Sequence, residues 1–169
     1  MLFRSQIGTP QEVYDQPINM FVAGFIGVPQ MNFYDGKLIK NAAGKYAVQV
    51  ENAVIELSDD KQKNLAANNT AEQDITVGVR PEHITLNGDP DKMITGKIDV
   101  FEMMGSAVHL HINAMGKDGV IIVPTLELGH GHKFEMGSEI RFTFPGSVAH
   151  VFSKDTAVNL ETAAPAAKN

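Results

Sequence analysis

Gly78-Val79-Arg80-Pro81-Glu82-His83 closes an alternating stretch, Asp74-Ile75-Thr76-Val77, whose two-residue period reads as a strand. Proline lacks a backbone N–H and holds the residue before it extended, so the strand stops or turns at Pro81. Arg80, Glu82 and His83 therefore cluster at a strand end. Such a cluster alone reads as a structural salt bridge that fixes a turn. A catalytic acid–base set would need a nucleophile motif or a phosphate loop beside it, and the chain has neither. Ser106 and Ser147 lack the flanks of a nucleophile elbow and read as turn residues.

Upstream, residues 8–28 read as helical. Thr9-Pro10-Gln11-Glu12 is a capping box with proline at the first helical position. This helix ends before Pro17, and a second begins near Pro17 or Asn19. Phe21, Val22, Phe25 and Ile26 recur at helical spacing, so they are expected to share one face that packs on the barrel or on a sister chain. Gly27 is the expected cap and Pro29 the stop.

After Met31 the period changes to that of strands. Asn32-Phe33-Tyr34, Asp35-Gly36 and Lys37-Leu38-Ile39-Lys40 read as a hairpin with a two-residue turn. Residues 46–50 and 53–57 continue the sheet, and Ser58 is a candidate cap for a short helix. Asn87-Gly88-Asp89-Pro90 is a turn. Residues 94–101 form a strand broken at Met103-Met104-Gly105-Ser106, with the two methionines expected to fill core. In residues 107–114, Val108, Leu110 and Ile112 face one side, and His109, His111 and Asn113 the other. Residues 116–119 read as a turn, and residues 120–123, 139–144 and 149–152 as strands. Many short strands with regular turns point to a small barrel rather than a parallel sheet. The alanine-rich residues 162–169 read as a disordered tail.

Composition narrows the function. A chain of 169 residues suffices for a core without staples. The formal net charge of −6, the absence of tryptophan and an aromatic content of 7% argue against a basic, stacking nucleic-acid groove. No cysteine is present, which removes disulfides, thiolate nucleophiles and Cys-type zinc sites. His109 and His111 stand roughly 6–7 Å apart along one strand face. With His130 and His132 they offer four imidazoles, but no second-shell pattern supports zinc, and solvated histidines are the expected reading. Met1-Leu2-Phe3-Arg4-Ser5 does not read as a secretory signal, and the apolar run 18–31 reads as too short and broken to span a bilayer.

Gly8-Thr9-Pro10-Gln11-Glu12-Val13-Tyr14, Pro17, Phe21-Val22-Ala23-Gly24-Phe25-Ile26-Gly27, Pro29 and Met31-Asn32-Phe33 together resemble a stretch of the sugar-importing ABC transporter ATPases. These are the maltose-importer and multiple-sugar-importer types. In that family the stretch joins the ATPase core to a C-terminal regulatory domain. Gly78 to His83 resembles the same family's mid-domain signature. Glu102, Gly105 and Ser106, and His150-Val151-Phe152, also fall where the family has similar residues. The resemblance runs from about Gly8 to Leu160.

The family's phosphate loop, G-x-x-x-x-G-K-[ST], is missing, as are its Ser-Gly-Gly-Gln type signature and its magnesium and catalytic carboxylates. The resemblance therefore implies a mainly β, OB-fold-like barrel domain of TOBE or MOP-like type, with a short helical N-terminal segment and no ATPase core. Residues 1–28 are expected to be a helical remnant and linker, 29–161 the regulatory domain, and 162–169 the tail. The chain is expected to be non-enzymatic and to hold no cofactor or metal, with ATP and magnesium belonging to the ATPase domain. The implied role is homodimerisation and regulation at the cytoplasmic face of the membrane. The implied partners are the ATPase domain, the permease subunits and a cytosolic regulator. Structural and interface candidates are Phe21, Phe25, Met31 and Asn32 at the junction; Gly78, Arg80, Pro81, Glu82 and His83 at the signature; and Glu102 and Gly105. The alternative is a MOP-like module that binds a small oxyanion between paired barrels. A small hydrolase ranks last.

Overall fold

The computed structural model describes residue 6 and residues 8–27, 29–129 and 133–162. Two short helices, α1 (Pro10–Asp15) and α2 (Met20–Phe25), precede β1 (Asn32–Lys40), β2 (Tyr46–Val50) and β3 (Ala53–Glu56). Helix α3 (Asp59–Ala67) and β4 (Gln73–Val79) follow, then β5 (Ile94–Met104), β6 (Ala107–Ala114), β7 (Lys117–Pro124), β8 (Glu139–Phe142) and β9 (His150–Ser153). One sheet has the order β3-β2-β1-β4-β9 and the other β7-β6-β5-β8. The pairings within both sheets are antiparallel.

The two sheets share one core. Tyr34, Leu38, Val48, Ile75 and Val77 of the first sheet and Ile98, Leu110, Ile112 and Phe142 of the second belong to a single buried cluster. Alternation supplies it: Val108, Leu110 and Ile112 point inward from β6, as the spacing predicts. Asn32 ties the sheets at one edge. Its side-chain amide donates to Val120 O and accepts from Val120 N, both at 2.8 Å, so one side chain copies a strand's hydrogen-bond pair. A Cβ on Gly119 would stand 2.8 Å from Asn32 Oδ1, so the tie needs a bare backbone beside it.

The expected N-terminal helices are present. Thr9 and Glu12 form the full capping box, and Asn19 caps α2 by accepting from Val22 N. Ser58 stands at the N-cap of α3 but makes no side-chain cap bond. Thr162, the first residue of the expected tail, donates its hydroxyl to Asn159 O at 2.8 Å. Residues 163–169 lie outside the described residues.

Three expectations are corrected. Asp35-Gly36 is not a hairpin turn, because β1 runs straight through it and pairs Asp35 with Thr76 and Gly36 with Ile75. Gly36 is there for close approach: a Cβ would sit 2.6 Å from Gln49 O of the neighbouring strand. The real turn lies at residues 41–45, where the Asn41 side chain accepts from Ala43 N and Lys45 N and Gly44 takes a positive φ of 76°. Residues 116–119 are not a turn either; Met115 and Gly116, with φ of 53° and 77°, make it, and β7 starts at Lys117. Met103 and Met104 do not fill core: they are 67% and 53% exposed at the β5–β6 hairpin end.

Substituting Gly36→Ala forces β1 and β2 apart and is expected to cost about 1–3 kcal/mol, as overpacked sites do. Urea denaturation measures it. A cost within a few tenths would mean that Gly36 serves a turn and not a close approach.

Candidate functional site

Arg80 directly follows β4 and is 1% exposed. Its guanidinium reaches back into the helical segment. Nη1 donates to Ala23 O at 3.3 Å and, in a shorter contact, to Ile26 O; Nη2 donates to Tyr14 O at 3.1 Å. These carbonyls lie near the C-terminal ends of α1 and α2, where intrahelical donors run out and a cation meets the negative end of the helix dipole. The guanidinium also stacks on the Tyr14 ring, 4.1 Å from its centre. Gly27, at φ +107°, leaves the room: a Cβ there would stand 3.0 Å from Arg80 Nη1.

The expected salt bridge is therefore replaced. Arg80 spends its donors on carbonyls, and Glu82 turns outward to accept from the Tyr14 hydroxyl. Burial, then that bond to Glu82, pushes the Tyr14 phenol up to about 12. Pro81 opens a short 3₁₀ turn, Pro81–His83, at the point where proline was expected to stop the strand.

Gly78 completes the joint. A Cβ at this position would meet Met31 Sδ at 2.5 Å and Phe152 Cε2 at 2.9 Å. Ala23, Met31 and Phe152 form a small buried cluster of their own, with Met20 and Phe33 against it. The signature thus seats the helices twice, by apolar packing under Gly78 and by the clamp at Arg80.

Phe21 and Phe25 are not in this joint. The buried face of α2 is Val22 and Ala23. The two rings stack on each other with centres 6.1 Å apart and are 58% and 75% exposed. The four residues expected on one face are thus divided: Val22 packs inward, and Phe21 and Phe25 do not pack on this chain's sheets, because Arg80 takes the carbonyls of Ala23 and Ile26 and so sets the helix's rotation.

The C-terminal residues form the other wall. Asn159 Nδ2 donates to Pro17 O and Asn159 N to Ile18 O, both at 2.8 Å. Lys61 of α3 and Glu161 make an ion pair at 2.7 Å with both side chains 10% exposed. His150 pairs with Gly78 across β9 and β4. Tyr14, Lys61, Arg80, His83, His150 and Glu161 are among the residues lining a cavity of about 400 Å³ between these parts. Sequence reasoning missed Lys61, Asn159 and Glu161. No local pattern marks a lysine as buried when its partner lies 100 residues away.

Glu102 and Gly105 stand elsewhere, on the second sheet. Glu102 faces His111 Nε2 at 3.3 Å in an exposed pair, and Gly105 supplies the left-handed φ of 64° at the hairpin turn. Among the described residues no group of His, Asp and Glu could hold a metal ion. His130 and His132, half of the zinc idea, lie outside the described residues. No helix among the described residues is long and apolar enough to cross a membrane.

Burial first, then the charges of Lys61, Arg80 and His83, push the His150 imidazole from 6.5 down to about 3. Unfolded chains take up this proton near 6.5 and the folded chain only near 3, so protons favour unfolding between those values. Stability is expected to fall as pH drops through that window, and His150→Gln to remove part of the slope in urea midpoints measured against pH. An unchanged slope would refute the assignment. Arg80→Met strands several carbonyls and is expected to release residues 8–27 to protease well before the sheets unfold. Arg80→Lys, with fewer and differently aimed donors, falls between. Equal protection of these residues in the Met variant and the original chain would refute the clamp.

Comparison with known proteins matches the geometry. Residues 27–84 match the MalK OB fold domain and residues 77–152 the TOBE domain. The lactose transport ATP-binding protein LacK of Rhizobium radiobacter is 33% identical over 87% of this chain and 39% of its own length. The maltose/maltodextrin import ATP-binding protein MalK of Vibrio vulnificus is 30% identical over 90% of this chain and 39% of its own. The chain thus spans about two fifths of the length of these curated relatives. Crystals of the cytoplasmic molybdate-binding protein ModG share the fold at a TM-score of 0.50 and 13% identity, over 71% of this chain and 94% of that one. At that identity the likeness speaks for the barrel architecture alone.

Proposed function

The chain belongs to the OB-fold and TOBE domain family carried by the ATP-binding subunits of sugar-import ABC transporters, and we propose that it is the regulatory and pairing domain of such a subunit. The observation that carries this reading is the Arg80 joint, which makes the helical segment and the sheets one mechanical body. A displacement of α1 and α2 must then be passed to the sheets rather than lost in a hinge. On this reading residues 1–28 are the arm toward an ATPase domain, 29–161 the regulatory domain and 162–169 a tail. ATP and magnesium bind in that ATPase domain, and the chain itself hydrolyses nothing. The assembly works at the cytoplasmic face of the membrane beside permease subunits. A cytosolic regulator docks on the regulatory domain.

Pairing two such domains about a two-fold axis needs only a self-complementary patch. It keeps two ATPase halves at high mutual concentration between turnovers. The relatives are named for different sugars, lactose in one and maltose or maltodextrin in another, yet both match this chain over most of its length. The sugar is therefore selected elsewhere in the transporter. Sedimentation equilibrium of the purified chain is expected to show reversible dimers with no ATP turnover. A strict monomer at the highest soluble concentration overturns the pairing role, and nucleotide hydrolysis by the chain overturns the non-catalytic one.

A further inference from the structure

The segment between α1 and α2 has a second attachment, and Arg80 takes no part in it. Residues 157–162 lie along it. Met20 N donates to Ala157 O at 2.9 Å and Asn159 N to Ile18 O at 2.8 Å, and Asn19 bridges to Val158. The same residues pair with β9 on their other edge, where Ser153 N donates to Val158 O and Leu160 N to Val151 O, both at 2.9 Å. The first sheet is thereby continued from β9, through residues 158–159, to Asn19. Helix α3 adds a hold by side chains. Lys61 meets Glu161 at 2.7 Å, and Asn68 Nδ2 donates to Leu160 O and Thr162 O, both at 3.0 Å.

Three unfavourable features gather in these few residues. Ala157, at the turn that leads from β9, takes a left-handed φ of 60°, where a Cβ crowds the backbone. Lys61 and Glu161 give up water with each side chain only 10% exposed, and the desolvation of such a pair can match what its attraction returns. Glu161 Oε1 is buried and has no hydrogen-bond partner among the described residues. Undocking relieves all three, and water replaces the hydrogen bonds that are lost. Backbone strain of this kind is characteristic of elements that switch. We propose that residues 157–162 are a releasable latch on the helical arm. Docked, they stitch residues 18–20 to the first sheet, and the arm is tied twice. Undocked, they leave it to the Arg80 clamp, whose carbonyls on Tyr14, Ala23 and Ile26 lie outside the latch. The chain then has a stiff and a compliant state of one attachment. The use of those states in relaying motion rests on the reading of residues 1–28 as the arm of a transporter subunit; the latch itself does not.

Amide hydrogen exchange of the whole chain, resolved by NMR at several urea concentrations, tests the latch. The Met20, Asn159 and Leu160 amides report docking, since their acceptors lie across it; the Ala23 and Ile26 amides report α2. The first three are expected to exchange through one shared opening, about 100-fold more readily than the amides paired between β1 and β4 and with a much shallower urea dependence, because little surface is exposed. Ala23 and Ile26 are expected to stay protected through that opening. Lys61→Met leaves the Glu161 carboxylate buried and unpaired, and should speed the three amides roughly tenfold. In case that variant misfolds, Ala157→Gly relieves the left-handed φ and should slow them about threefold. Exchange of the three only by global unfolding, with the urea dependence of the β1–β4 amides, overturns the latch. So does loss of Ala23 and Ile26 protection in the same opening, or rates unchanged in every folded variant. None of these readings depends on pairing or on ATP turnover, so the latch and the pairing role fail separately.

Discussion

One buried guanidinium holds this molecule's two parts together. Arg80 leaves the end of β4 and binds carbonyls of Tyr14 and Ala23, and of Ile26 just past α2, while stacking on the Tyr14 ring. Helices of six residues are too short to persist alone, since nucleation costs more than so few bonds return. They exist because their last carbonyls are bound and because Ala23 and Met31 pack against Phe152. A charged donor bond contributes on the order of 1.5–3 kcal/mol, so the clamp outweighs any cap at the other helix ends.

Close backbone approach is the second constraint, and it explains what sequence patterns could and could not convey. Alternation exposed β4 as a strand and the inward face of β6, and capping chemistry located α1 and α2 to within a residue or two. Both are local rules, satisfied by neighbours in the chain. Asp35-Gly36 obeys the same local rule for a turn, yet a distant neighbour overrides it: Gln49 O lies where a Cβ on residue 36 would be. Gly78 looks like part of a turn signature but serves Met31 and Phe152. A glycine demanded by another strand and a glycine demanded by φ are the same letter.

The candidate site was half visible for the same reason. Arg80, Glu82 and His83 stood out because they adjoin a proline at a strand end. Their chemistry was misread, because nearness in sequence suggested that Arg80 pairs with Glu82. In the fold Tyr14 separates their tasks, its carbonyl taking Arg80 and its hydroxyl taking Glu82. Lys61, Asn159 and Glu161 were invisible, since they meet only when residues 159–161 lie down between α3 and the N-terminal helices. Phe21 and Phe25 share a face that does not pack on this chain's sheets, while Val22, grouped with them, is buried. Spacing defines a face, whereas the partner that fixes the helix's carbonyls decides where the face points.

That the clamp's hydrogen bonds go to backbone rather than side chains has a mechanical consequence. Carbonyls are present whatever the residues of α1 and α2, so the joint constrains the path of the arm and leaves its outer face free to be apolar. Phe21 and Phe25 occupy that face without weakening the attachment. A carboxylate partner would have made a different joint, one that screens with salt and rotates about a single contact. Donors fanned onto several carbonyls fix orientation as well as distance. Such a joint either holds as a unit or opens as a unit, and that is the property a domain needs if it is to pass on motion rather than absorb it.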